Sequence, residues 1–158
     1  MIYLTGSNGL VGKSFKEICP HKITSITYRD EAKDVFKSHD RSCLVHLGWS
    51  STTRDIDSLK AKNDIWNSQH LFEYYAEKNP EGKIIFVSTA GDMHLDNDYE
   101  LVDESSLPNP RTLYGRSKLH VERVLDSIQC KTVVLRTTNI WGAEVVKNRV
   151  NGLGDKLR

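Results

Sequence analysis

A glycine turn near the N-terminus limits the folds open to this chain. The short apolar run Ile2–Thr5 leads directly into Gly6-Ser7-Asn8-Gly9-Leu10-Val11-Gly12, and a helical pattern follows from Leu10 to Ile18, with Leu10, Val11, Phe15 and Ile18 on its apolar side. A strand, a G-x-x-G-x-x-G turn and a helix form the opening of a parallel α/β sheet. Gly6 permits the tight turn, Gly9 lets backbone approach a pyrophosphate, and Gly12 lets the helix pack closely. The pyrophosphate then faces the helix N-terminus and its free N–H groups. Ser7, Asn8, Leu10 and Val11 complete the predicted phosphate-facing segment. A P-loop competes for the same residues, because Gly12-Lys13-Ser14 ends like one. That motif needs its first glycine at position 7, which is Ser7, so Lys13 reads as a solvent-facing helix residue.

Downstream, strand and helix patterns alternate. Strands are predicted at Ile23–Tyr28, Leu44–Leu47, Lys83–Ser88 and Lys131–Thr137, and helices at Ile56–Lys78 and Tyr114–Ile128. Leu59, Ile65, Leu71, Phe72, Tyr75 and Ala76 supply one face of the first of these helices. Residues 89–112 read as a long polar loop, a length that points to function. This alternation predicts an α/β, Rossmann-like, doubly wound parallel sheet with helices on both faces.

Composition narrows the function classes. The chain has 158 residues, one domain's worth, with 22 Lys+Arg against 21 Asp+Glu. A net charge of +1 argues against a nucleic-acid footprint or a polybasic membrane anchor. No apolar run reaches the length of a membrane span, and the N-terminus reads as a strand rather than a signal peptide. Cys19, Cys43 and Cys130 lie far apart and suit buried thiols in a reducing cytoplasm. The six histidines show no metal spacing, and His46 reads as a packed core residue.

Three side chains carry a possible chemistry. Tyr114 and Lys118 are four apart and share one helix face. An ammonium beside a phenol favours the phenolate, and moving a tyrosine from ~10 to ~7 takes roughly 4 kcal/mol of differential interaction. The strand at Lys83–Ser88 runs into Thr89, at the carboxyl edge where open α/β sheets bind ligands. A hydroxyl there can bond both a substrate oxygen and the phenol. The three together predict a hydride-transfer site.

With these residues the chain resembles the extended short-chain dehydrogenase/reductases, the NAD(P)-dependent nucleotide-sugar epimerase/dehydratase family, over residues 1–142. TGSNGLVG resembles the family's TGxxGxxG. LVHLGW at 44–49 resembles its His-x-Ala-Gly strand end, and Ser88-Thr89-Ala90 its active-site step. Glu104 with YGRSK resembles "E…P…YGxSK", and LRTTNIWG at 135–142 resembles "LRxxNVYG". The resemblance implies Tyr114 as general acid/base, Lys118 as the residue that tunes it and holds the nicotinamide ribose, and Thr89 as the group orienting the substrate oxygen. It implies Asn139 near substrate, Leu47, Gly48 and Ser88 near cofactor, and Asn63 as a brace for the strand end or the site. It implies NAD or NADP as cofactor and a nucleotide sugar as substrate, in cytoplasmic polysaccharide synthesis. A homodimer is implied through helices 56–78 and 114–128, with Leu71, Tyr75 and Leu119 as candidate contacts.

Some positions depart from the pattern. Asp30 lies 24 residues after Gly6, suiting the ribose of NAD, while Arg29 suits the 2′-phosphate of NADP. Residues 31–43 are too short and polar for the family's next strand, and leave Asp40 as a weak stand-in near the adenine. Trp49 and Ser50 replace small residues and narrow the cofactor site. Gly91-Asp92-Met93-His94 replaces a Tyr-Gly turn. The expected division is a dinucleotide-binding domain at 1–142 and, at 143–158, the start of a C-terminal substrate lobe that is missing or truncated. An NAD(P)-binding sensor without turnover is the second reading, and a P-loop domain the third.

Overall fold

The computed structural model describes residues 1–27, 35–38, 41–94, 101–138 and 140. Five parallel strands form its sheet: β1 (Ile2–Thr5), β2 (Ile23–Ser25), β3 (Cys43–His46), β4 (Lys83–Thr89) and β5 (Lys131–Thr137), in the order β2-β1-β3-β4-β5. Helices α1 (Leu10–Ile18), α2 (Ser58–Lys78) and α3 (Leu113–Leu125) join them. The chain steps from β1 outward to β2, then returns to β3 on the other side of β1. Right-handed crossovers therefore put α1 on one face of the sheet and α2 and α3 on the other. The reversal between β1 and β3 is the switch point at which such sheets open a crevice at their carboxyl ends. No strand stands between Ser25 and Cys43 among the described residues.

Register aligns Tyr3 with Leu44, and Leu44 with Ile84. This row, with Phe86, packs on Leu71, Phe72, Tyr75, Val121 and Leu125 to make the core. Tyr3 and Phe36 meet edge to face at 4.8 Å, and Phe36 meets Tyr75 at 5.2 Å. Burial pushes the Tyr75 phenol up to about 12, so it stays neutral and bonds Ser42 at 3.0 Å. At the sheet's edge, β5 leaves Val133, Val134 and Leu135 exposed.

Element boundaries differ from expectation for local reasons. β3 stops at His46 because the Leu47 amide donates to the Thr5 hydroxyl instead of to a strand. α2 starts at Ser58, where the Asp57 side chain accepts the Leu59 amide. Of the predicted face, Leu71, Phe72, Tyr75 and Ala76 are buried and Ile65 packs on the core, whereas Leu59 is exposed. The buried stripe runs Ala61, Asp64, Ser68, Leu71, Phe72, Tyr75 and Ala76, and is polar toward the N-terminal end. α3 ends at Leu125, because the Ser127 and Ile128 amides bond three residues back and tighten the last turn. Leu71, Tyr75 and Leu119 lie buried within this chain, Leu71 and Tyr75 in its core.

Candidate functional site

The glycine turn is built by close backbone approach. Gly6 has φ +66°, a conformation that favours glycine, and a Cβ there would lie 2.7 Å from the Gly48 amide nitrogen. The turn is thereby seated against the loop leaving β3. A Cβ on Gly12 would come within 2.2 Å of the Gly6 carbonyl. Gly12 thus lets α1 close on its own turn, rather than on the sheet as predicted. Gly9 is the N-cap of α1, with an ordinary extended conformation and no side-chain cap on the helix end. Asn8 and Gly9 are exposed, Ser7 is buried, and Leu10 and Val11 are half-buried in the first turn. An uncapped helix end behind a glycine turn fits an anionic group. Lys13 is exposed in the first turn of α1, the solvent-facing helix position predicted for it.

A buried polar network fixes the loop after β3. Thr5 Oγ1 accepts the amides of Leu47 (3.1 Å) and Gly48 (3.0 Å). It also meets His46 Nδ1 at 2.9 Å, and His46 Nε2 lies 3.1 Å from Ser68 Oγ. Burial, reinforced by the Lys118 charge, holds the imidazole well below its ordinary pKa, so His46 is a neutral core residue as predicted. One residue past the predicted brace, Asp64 accepts the Ser50 amide (3.0 Å), the Ser50 hydroxyl (2.7 Å) and the Ser51 amide (2.8 Å). Asn63 itself is exposed. A helix turns about 100° per residue, and here that step places Asp64 inward and Asn63 outward.

At the carboxyl edge, α3 brings Tyr114 and Lys118 toward the end of β4. Thr112 caps α3 by accepting the Gly115 amide at 3.0 Å. Lys118 is 4% exposed and donates from Nζ to the Val87 carbonyl at 2.8 Å, two residues before Thr89. Its nitrogen lies 5.7 Å from the centre of the Tyr114 ring and 3.9 Å from that of Trp49. Burial drives Lys118 down to about 7, against the pull of Asp64 and Glu122. Asp92 ties this region together. Its amide reaches Thr89 Oγ1 at 3.4 Å, and its carboxylate accepts the Thr112 hydroxyl. A Cβ on Gly115 would strike that carboxylate, so the glycine of YGRSK makes room for Asp92.

Ser88 points elsewhere. Its hydroxyl donates to the buried Glu122, which also receives Arg136 Nη2 at 2.7 Å. This cluster locks α3 to β4 and β5. Arg29, Asp30, Asp40 and Asn139 lie outside the described residues. Sequence reasoning noticed Trp49 and Asp92 only as departures, and missed Asp64, Glu122 and Arg136. For Asp64 the available signal was a carboxylate at the apolar spacing of a helix.

Topology and glycine turn define a class, the open parallel α/β domains whose strand order reverses between β1 and β3. The comparisons make this specific. The sequence profile of the NAD dependent epimerase/dehydratase family matches residues 2–157, and the chain belongs to that family. No curated protein matches the sequence.

Solved structures share the fold. A dTDP-4-dehydrorhamnose reductase from Bacillus anthracis, in complex with NADP, is 19% identical at TM-score 0.75, covering 98% of this chain and 60% of that one. A UDP-glucuronic acid 4-epimerase from Bacillus cereus, in complex with NAD, is 18% identical at TM-score 0.72, covering 89% of this chain and 57% of that one. A UDP-Glc/GlcNAc 4-epimerase from Campylobacter jejuni is 21% identical at TM-score 0.72, with 94% and 57% covered. The chain therefore spans about 60% of the length of the first of these proteins. No helix among the described residues is long and apolar enough to cross a membrane.

Proposed function

We propose that this chain is the dinucleotide-binding part of an NAD(P)-dependent enzyme that acts on a nucleotide sugar by transient hydride transfer. The observation that carries the reading is the anchoring of Lys118 on the Val87 carbonyl, which puts its ammonium near the Tyr114 ring and the Thr89 end of β4. Residues 1–142 form the cofactor domain, and 143–158 begin the substrate lobe.

Gly6, Ser7, Asn8, Gly9, Leu10, Val11 and Gly12 hold the pyrophosphate at the start of α1. Leu47 and Gly48 border it, Asp30 or Arg29 meets the adenosine ribose, and Lys118 meets the nicotinamide ribose. Ser88 acts only through its strand position, because its hydroxyl is engaged by Glu122. The nicotinamide, when bound, supplies a hydride acceptor and donor. Tyr114 takes the proton of the sugar hydroxyl as the carbon-bound hydrogen leaves with its electron pair, and a ketone results. Lys118 favours the phenolate form that accepts this proton, and the Thr89 hydroxyl orients the oxygen. Hydride returned to the opposite face of the ketone would give an epimer, and loss of water from the ketone followed by hydride return would give a dehydrated sugar. Asn139 contributes to the sugar side. The neighbours' nucleotide-sugar substrates support this class, and cytoplasmic polysaccharide synthesis is the setting that suits it.

Calorimetric titration with NAD, NADP and ATP–Mg tests the reading. Saturable binding of NAD or NADP is expected, and the preferred form assigns Asp30 or Arg29. Binding of ATP–Mg alone overturns it. A homodimer through the exposed sides of α2 and α3 is expected on sedimentation.

A further inference from the structure

Lys118 carries a charge in a place that solvates charge poorly. It is 4% exposed, and among the described residues its ammonium makes one hydrogen bond, to the Val87 carbonyl. The nearby carboxylates are engaged by other groups. Asp64 on α2 receives Ser50 and Ser51, and Glu122, one turn along α3, receives Ser88 and Arg136 of β5. His46 on β3 is neutral and carries no compensating charge. Three aromatic rings surround the ammonium instead. The centre of Trp49 lies 3.9 Å away, Phe86 4.7 Å and Tyr114 5.7 Å.

The rings are unequal. Indole has the strongest negative face of the three side chains, and it is the nearest here. It is also held in place. Trp49 Nε1 donates to Ser51 Oγ at 2.8 Å, and the Ser51 amide donates to Asp64 at 2.8 Å. Trp49 further meets Tyr114 edge to face at 6.4 Å and 89°. One indole therefore contacts both members of the Tyr–Lys pair, and its orientation is set from α2.

We infer that Trp49 is the positioning residue of Lys118, holding the ammonium by its ring face against the Val87 carbonyl and beside Tyr114. The role of Lys118 in the site rests on the function proposed above, but the coupling between Trp49 and Lys118 exists without nucleotide and is measured without it. A leucine in place of Trp49 fills part of the space and offers no negative face. A phenylalanine keeps a weaker face.

The first arm uses Trp66→Phe and Trp141→Phe together, leaving Trp49 as the sole indole of the three in the chain. Its emission is followed between about pH 6 and pH 9, where a lysine lowered by burial titrates. A transition is expected that disappears on adding Lys118→Met. An emission that titrates identically with and without Lys118 overturns the inference.

The second arm measures reductive methylation of Lys118 by mass spectrometry, relative to the exposed lysines. Trp49→Leu is expected to raise the relative rate about tenfold, and Trp49→Phe to restore most of the protection, because a ring face and not mere bulk shields and orients the ammonium. Equal rates in the Leu and Phe variants overturn it. Far-UV circular dichroism checks folding, and Trp49→Met, which also lacks a ring face, takes the place of Trp49→Leu with the same expected rise if Trp49→Leu does not fold.

NAD is then titrated into the single-indole chain. Bound NAD that changes Trp49 emission places the cage at the cofactor. NAD bound with unchanged emission overturns its role there. If NAD does not bind, the cofactor reading fails, and the two nucleotide-free arms still decide the inference.

Discussion

Thr5 Oγ1 stands 2.9 Å from His46 Nδ1, and that contact fixes which nitrogen of the imidazole carries the proton. The Thr5 oxygen already accepts two amides, from Leu47 and Gly48, so its own proton goes to Nδ1. His46 is then protonated on Nε2 and donates to Ser68 Oγ, whose proton goes to the Asp64 carbonyl at 2.6 Å. A single chain of hydrogen bonds links the end of β1, the end of β3 and α2. It holds the loop that seats Gly48 against Gly6.

This chain has no place for an imidazolium, because a proton on Nδ1 would face the proton of Thr5. The folded pKa of His46 lies well below 6.5, so below about pH 6.5 the unfolded chain binds a proton that the native chain does not. Stability therefore rises with pH up to that value and falls on acidification, by up to about 1.4 kcal/mol per pH unit from this group. Urea unfolding between about pH 7 and pH 5 should show this slope, reduced in His46→Phe. Equal slopes would show that His46 is not buried neutral.

Gly9 and Gly12 separate packing from binding. Gly12→Ala drives a methyl into the Gly6 carbonyl and should cost about 1–3 kcal/mol of stability. Gly9→Ala meets that carbonyl only at 3.2 Å, in a conformation open to alanine, so stability should change by less than about 1 kcal/mol. Its methyl would project at the uncapped end of α1, and NAD affinity should fall about tenfold or more. Denaturant unfolding and calorimetry on the two variants read both effects. A Gly9→Ala chain that binds NAD normally would move the phosphate away from this turn.

Much of this was legible in the sequence, because strands and helices here have clean periods. Ile2–Thr5, Leu10–Ile18 and Lys131–Thr137 stand as predicted, since each is bounded by glycine, proline or polar residues that leave little choice. The glycine turn and the Tyr114–Lys118 face were equally plain, being local. What could not be read was long-range polar pairing. Asp64 did not stand out, Ser88 looked like a cofactor-side hydroxyl and Trp49 like an obstruction, because their partners lie on other elements. No period announces that Ser88 will find Glu122, or that Asn63 and Asp64 will exchange roles.

That exchange is directly testable. Asn63 is exposed, so Asn63→Ala should alter stability by no more than about 0.5 kcal/mol. Asp64→Ala strands the amides of Ser50 and Ser51, and the loss of three bonds to a charged acceptor should cost about 2–4 kcal/mol. Thermal unfolding of the two single variants is the measurement. A brace at Asn63 predicts the reverse order.

Lys118 gives a pH dependence at the alkaline side. Its folded pKa is about 7, against an ordinary 10.5, so between these values the unfolded chain binds the extra proton. The cost of burying the charge is fully present below about pH 7 and is relieved as pH rises toward 10.5. Lys118→Met removes the group, so the variant should gain most over the parent near pH 6 and keep less than half of that advantage at about pH 9. Chemical unfolding of both proteins at the two pH values checks the sign. A constant difference would mean that Lys118 keeps its charge at both.

Tyr114 is where the proposed chemistry meets the structure. Tyr114→Phe removes one oxygen from a half-buried ring whose edge-to-face contact with Trp49, and whose place near Lys118, depend on the ring itself. The fold and NAD affinity should therefore be nearly unchanged. The phenol's proton transfer is lost, and kcat on a nucleotide sugar should fall about 10²–10⁴-fold with KM little altered, as for removal of a general acid/base. Turnover by the protein that carries this chain is assayed with the wild type alongside. Because Lys118 titrates near neutrality, the wild-type rate should also vary with pH around 7, through the charge that favours the phenolate. Full turnover in Tyr114→Phe would remove Tyr114 from the chemistry, while loss of NAD binding in the same variant would make it a cofactor contact instead.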